Sequence, residues 1–104
     1  MKRTSIEMIL MDRFELTEED LAAAEGKFFD AEGRLSILPA KEKNKAAIYI
    51  LLAACFDLGR TYAEKEVNLI LIPAVEDYAS FRRALVDHGL LSRSRDGRTY
   101  WRNA

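Results

Sequence analysis

Apolar and polar positions sort this chain into a run of short elements. Residues 1–16 carry Ile6, Met8, Ile9, Leu10 and Met11 without clean periodicity. They fit a short helix or a strand docked on the rest of the chain or on a second copy. Thr17 followed by Glu18, Glu19 and Asp20 marks a helix start, because a Thr cap accepts from a free amide and acids suit the positive end of the dipole. That helix points Leu21, Ala24, Phe28 and Phe29 at a core and is expected to end near Asp30. Arg34 to Leu38 alternates as a short strand does, and Pro39 closes it.

The stretch Ala46–Leu58 is apolar almost all round, the pattern of a central buried helix, with Gly59 as its stop. Thr61 and Glu64 have capping-box spacing, and Val67, Ile70 and Leu71 share one helical face before Pro73. Asp77 caps a third helix with Tyr78, Phe81, Leu85 and His88 on one side, and Gly89 ends it. The link around Pro73 to Glu76 is as short as a helix-turn-helix requires. Asp96-Gly97 signals a tight reversal with Arg95 opposite Arg98. From Lys43 the order is therefore helix, short helix, helix, strand, turn, strand. The expected fold is α+β and mainly helical, winged-helix-like with a C-terminal β-hairpin wing. It forms a single domain over 1–104, with a helical extension over 1–36 and the winged-helix-like core over 37–104.

Size and composition agree with one compact domain: 104 residues, 49% of them hydrophobic. The formal charge is only −1, yet it is unevenly spread. Residues 1–40 hold five Lys/Arg and nine Asp/Glu, and residues 41–104 hold eleven against eight. From Arg82 onward six arginines face only Asp87 and Asp96. A basic end on a nearly neutral protein suits contact with an anionic partner through one face. Cys55 is the single cysteine, which excludes a disulfide framework and a thiolate metal site. The longest apolar run, Ala46 to Phe56, falls short of the ~20 residues that span a bilayer. A cytoplasmic protein without a membrane partner is expected.

The candidate chemistry is binding. At 100° per residue, Ser80, Arg83 and Asp87 lie on the outer face of the third helix, the face that enters a major groove in a helix-turn-helix. The bland alternative for Arg83 is a solvated pair with Asp87 at i+4. Arg82 flanks the core side and is expected to pair with Glu64 or Glu66. On the hairpin, Arg93, Arg95, Arg98, Tyr100 and Arg102 share a face with Leu91, while Ser92, Ser94, Thr99 and Trp101 share the other. Arginine forks and a tyrosine hydroxyl both bond phosphate oxygens. Trp101 is then the expected anchor to the helices. Like charges facing one another across a ribbon repel, so acids from the amino-terminal half are alternative partners for them. An arginine-rich edge also resists aggregation.

Leu38-Pro-Ala-Lys41, Tyr62-Ala-Glu-Lys-Glu-Val-Asn68, Phe81-Arg-Arg-Ala-Leu-Val-Asp87 and Asp96-Gly-Arg-Thr-Tyr-Trp-Arg102 together resemble the prokaryotic domain of unknown function 2087 family. The resemblance covers roughly residues 28 to 102. It implies a winged-helix-like domain, found alone or behind a helix-turn-helix domain in transcriptional regulators. The family pattern usually has Ser or Thr where this chain has Ala63, and Thr61 stands in as the expected cap.

An enzyme is not expected. His88 is the single histidine and sits at a helix end, where it suits the dipole or a free carbonyl. Cys55 falls within the central apolar helix, where thiols are inert. No HExxH, phosphate-cradling glycine loop or Gly-x-Ser-x-Gly occurs. No cofactor and no metal are expected. Two functions follow. The first is a non-enzymatic module of transcriptional regulation that binds duplex DNA, as a homodimer, through Ser80, Arg83, Arg93, Arg95, Arg98, Tyr100 and Arg102. The alternative is a protein-interaction or ligand-sensing domain of winged-helix shape without DNA binding, with Tyr62, Glu64 and Asn68 lining its pocket.

Overall fold

The computed structural model describes residues 3–104. The ambiguous start is a helix, α1 (Ser5–Arg13). Thr4 Oγ1 accepts from the Glu7 amide at 3.1 Å, and Glu7 Oε2 accepts from the Thr4 amide at 2.7 Å, a reciprocal capping box. The same device begins α2 (Glu18–Phe28), where Thr17 and Asp20 exchange bonds of 3.1 and 2.9 Å. Leu21, Ala24 and Phe28 are buried, as their spacing leads one to expect.

The short strand expected over 34–38 does not form. Asp30 Oδ1 accepts from the Glu32 and Arg34 amides, turning the chain at once. Only Phe29 and Leu35 make an isolated bridge. The segment instead docks on the later helices: the Leu35 amide donates to Ala74 O at 2.7 Å, and Arg34 Nη1 to Ile72 O at 3.0 Å. Alternation alone does not make a strand without a neighbour to complete its ladder.

The central helix, α3 (Glu42–Ala53), begins and ends earlier than its apolar run. Ile48, Ile50 and Leu52 fill the core from it. After Ala53 the chain tightens, with the Cys55 amide donating to Leu52 O and that of Phe56 to Ala53 O. The turn drives Phe56 inward and leaves Cys55 exposed. Cys55 is thus neither in the helix nor buried, contrary to expectation.

Thr61 does not cap a helix. It opens β1 (Thr61–Ala63), and α4 (Glu64–Leu71) follows directly. The helix is capped from the other side: Glu66 Oε1 accepts from the Ala63 amide at 2.9 Å. Ala63 has no side-chain acceptor to return the bond, so only this half of a capping box forms. α5 (Tyr78–Asp87) starts at Asp77, whose carboxylate accepts from the Ser80 amide at 3.3 Å. Phe81 and Leu85 are buried, while Tyr78 stays exposed.

β2 (Leu91–Arg93) and β3 (Thr99–Arg102) form the hairpin, and β1 pairs with β3 to give an antiparallel sheet in the order β1-β3-β2. Tyr62 lies opposite Tyr100 on one side, and Arg93 opposite Tyr100 on the other. Five helices and three short strands among the described residues make an α+β fold, compatible with a winged-helix-like shape. No helix among them is long and apolar enough to cross a membrane.

Candidate nucleic-acid interface

The hairpin holds the expected register but turns the opposite face to the helices. Leu91 pairs with Arg102, Ser92 with Trp101 and Arg93 with Tyr100, the register that sets Arg95 against Arg98. The reversal is wider than two residues. Ser94 N donates to Thr99 O at 2.8 Å, and Gly97 N donates back to Ser94 O at 3.0 Å. Asp96 Oδ1 ties the loop together, accepting from Ser94 Oγ at 2.6 Å and from the Arg98 amide at 3.0 Å. Those bonds, the Ser94 hydroxyl first, lower the Asp96 pKa. Gly97 takes φ 72°, a conformation L side chains resist.

Tyr100 is only 3% exposed and Arg102 9%, whereas Trp101 is 37% exposed. The expectation that Trp101 anchors the hairpin while Tyr100 and Arg102 face water is therefore reversed. Tyr62, Leu91 and Tyr100 form the inner sheet face, with the Tyr62 ring edge-on to Phe56 at 5.4 Å. Arg102 reaches inward as well. Its Nη2 lies 2.8 Å from Glu7 Oε1 and its Nη1 donates to Phe56 O at 3.0 Å. An inward arginine is tolerated because a carboxylate and a carbonyl meet it.

Arg93, Arg95 and Arg98 remain exposed on the wing. Arg98 Nε approaches Asp96 Oδ2 at 3.9 Å, a loose surface contact. On α5, Arg83 and Ser80 are exposed. The Ser80 hydroxyl is engaged in the cap, donating to Asp77 Oδ2 at 2.7 Å. That bond and the Ser80 amide lower the Asp77 pKa. Arg82 is half-buried and pairs with Glu64 at 2.9 Å, as expected, and also donates to Asn68 Oδ1.

Arg83 and Arg93, ten residues apart and on different elements, line one hollow of about 250 Å³ with Glu64, Arg82, Asp96 and Tyr100. Helix α5 and the wing thus share a single charged junction. The three residues of the ligand-sensing alternative do not converge in the same way. The Tyr62 hydroxyl accepts from the Asp57 amide at 2.7 Å, beneath the Arg60 guanidinium stacked 4.5 Å from its ring. Glu64 and Asn68 are both held by Arg82.

Two features of this region escaped the sequence. Glu7 was not singled out: the Thr4-x-x-Glu7 spacing is that of a capping box, but nothing in it ties Glu7 to Arg102. Asp87 was read only as a surface partner of Arg83, yet it borders the same hollow. No group of three His, Cys, Asp or Glu side chains that could hold a metal ion occurs among the described residues.

The described residues form a small α+β module, compatible with a winged-helix-like shape, in which Arg82, Arg83, Asp87, Arg93 and Asp96 meet between the last helix and the hairpin. Residues 34–102 match the family described as an uncharacterized protein conserved in bacteria, DUF2087, and the chain belongs to it. Helices α1 and α2 precede the matched residues. No curated protein and no solved structure matches the chain.

Proposed function

We propose that this chain is a non-enzymatic module of bacterial transcriptional regulation that grips duplex DNA between α5 and the β2–β3 wing. The observation behind this reading is the shared junction: Arg83 of α5 and Arg93 of β2 border one hollow, and Arg95 and Arg98 stand exposed beside it. Four cations on one end can neutralise phosphates, while the outer face of α5 meets base edges or the backbone. Arg102 takes no part, because Glu7 already neutralises it inside the fold. A dimer on a two-fold site follows from the limited interface of one small module.

Binding to duplex DNA measured across salt concentrations tests the reading. Four phosphate contacts give log K a slope of about −3.6 against log salt, at roughly −0.9 per contact. Arg95→Ala with Arg98→Ala brings that slope to about −1.8 without a large loss of stability. Unchanged slope and affinity in the double variant exclude the wing. The rival, a protein-interaction domain of the same shape, draws on Trp101, whose exposed indole on the outer sheet face is of the type that anchors protein interfaces. It replaces the first reading if duplex DNA fails to bind even at low salt.

A further inference from the structure

The hollow between α5 and the wing contains both satisfied and unsatisfied polar groups. Arg82 is taken up by Glu64 and Asn68. Asp96 is taken up by Ser94 and the Arg98 amide. Arg83 and Arg93 have no ion pair or hydrogen-bonded partner among the described residues. The Arg93 guanidinium folds back over the turn, its Nη1 lying 3.6 Å from where a Cβ on Gly97 would stand.

Tyr100 supplies the second, independent observation. It is 97% removed from solvent (3% exposed) and lines the hollow. Its hydroxyl makes no hydrogen bond within the described residues, yet the enclosed side-chain polar atom left without a partner is Arg102 Nε, not this hydroxyl. The hydroxyl therefore keeps an opening, and the space beside Tyr100 is the hollow. An unpartnered hydroxyl on an otherwise buried tyrosine, flanked by two unpaired guanidinium groups, is a recognition set for an oxyanion. The volume of about 250 Å³ is below that of a typical drug-sized pocket and suits a single tetrahedral group with its waters.

We propose that this hollow is an oxyanion site in which Arg83, Arg93 and the Tyr100 hydroxyl hold one phosphate group. The phosphate belongs either to a DNA backbone, which deepens the function proposed above, or to a free phosphorylated molecule, which does not depend on it. Asp87, on the same wall and without a partner among the described residues, opposes the anion and limits its affinity.

The test titrates the intact chain with inorganic phosphate at low ionic strength, followed by calorimetry and by amide chemical shifts, and repeats it with a duplex. Tyr100→Phe keeps the ring in the core and removes one donor, so phosphate affinity falls about tenfold with an unchanged unfolding midpoint. Arg93→Ala, at an exposed position, lowers it by a similar factor, and Asp87→Asn raises it several-fold. Duplex affinity that falls in Tyr100→Phe assigns the phosphate to DNA. Phosphate binding sensitive to Tyr100→Phe, with no duplex binding, assigns a free ligand; the DNA reading then falls and the oxyanion site stands. Phosphate binding that is absent, or equal in parent, Tyr100→Phe and Arg93→Ala, overturns the site, whatever the duplex does.

Discussion

Glu7 Oε1 and Arg102 Nη2 meet at 2.8 Å across a sequence separation of 95 residues, joining the first helix to the last strand. Glu7 is 1% exposed. Its other oxygen holds the Thr4 amide, so one carboxylate both caps α1 and fixes it to the sheet. Removing one member of a buried pair strands the other charge, at about 3–5 kcal/mol. Glu7→Ala is therefore expected to lower unfolding stability by about that amount in urea titration. Glu7→Leu combined with Arg102→Met recovers most of the loss, since no charge is then left uncompensated. A loss below about 1 kcal/mol in the single variant would place the pair with ordinary surface contacts.

His88 caps the C-terminus of α5 with its ring 4.8 Å from that of Tyr49. Burial lowers its pKa, against a smaller upward pull from Asp87. The folded protein thus binds this proton less readily than the unfolded chain does. Its contribution to stability is complete above the ordinary value of 6.5 and declines as the pH falls from there toward the folded pKa. Stability measured from pH 8 to pH 5 should fall on the acid side, and His88→Gln should flatten that part of the curve. A curve that rises on acidification contradicts the assignment.

Gly97 occupies φ 72° with the Arg93 guanidinium close above it. Gly97→Val forces a β-branched side chain into that conformation and costs about 1–3 kcal/mol. The added Cβ itself meets Arg93 Nη1 only at ordinary contact distance, 3.6 Å, so the cost lies in the backbone. Faster hydrogen exchange at the Ser94 amide, which now donates to Thr99 O, is the local signature. Unaltered exchange would mean that the turn accommodates the substitution by another route.

Thr17→Ala removes the acceptor for the Asp20 amide and should cost about 1 kcal/mol. Bonds from the Thr17 amide and then its hydroxyl lower the Asp20 pKa. The cap's contribution is present above the ordinary aspartate value of 3.8 and is lost as the pH falls through the lower folded value. The difference between parent and variant should therefore shrink in strong acid. A constant difference down to pH 2 would show that the Thr17 hydroxyl does not help to hold the Asp20 charge and that the Thr17 amide, which the variant keeps, does so alone.

Much of the fold was legible because it depends on local chemistry. Thr17, Asp77 and Gly89 mark helix ends through backbone bonds made within a few residues, and periodicity selected Leu21, Phe81 and Leu85 for the core. The hairpin register followed from the Asp96-Gly97 turn signal and from the period of two. The strand at 34–38 and the long helix to Leu58 failed for one reason. Alternation and apolar runs describe what a segment can form, whereas its neighbours decide whether the ladder is completed or the chain turns away. Here Ala74 O took the Leu35 amide, and Phe56 turned into the core.

The sequence by itself determined which hairpin side chains travel together: Leu91, Tyr100 and Arg102 on one face, Ser92 and Trp101 on the other, because alternation along a strand is covalent geometry. Only the tertiary structure decided which face turns inward. Clustered arginines suggest a wet face, but desolvating Arg102 becomes tolerable once Glu7 and Phe56 O are brought to it. Those partners come from the two ends of a fold that must close before the charge is met. The separation of Arg102 from Arg83, Arg93, Arg95 and Arg98 is thus a property of the folded chain, not of its order of residues.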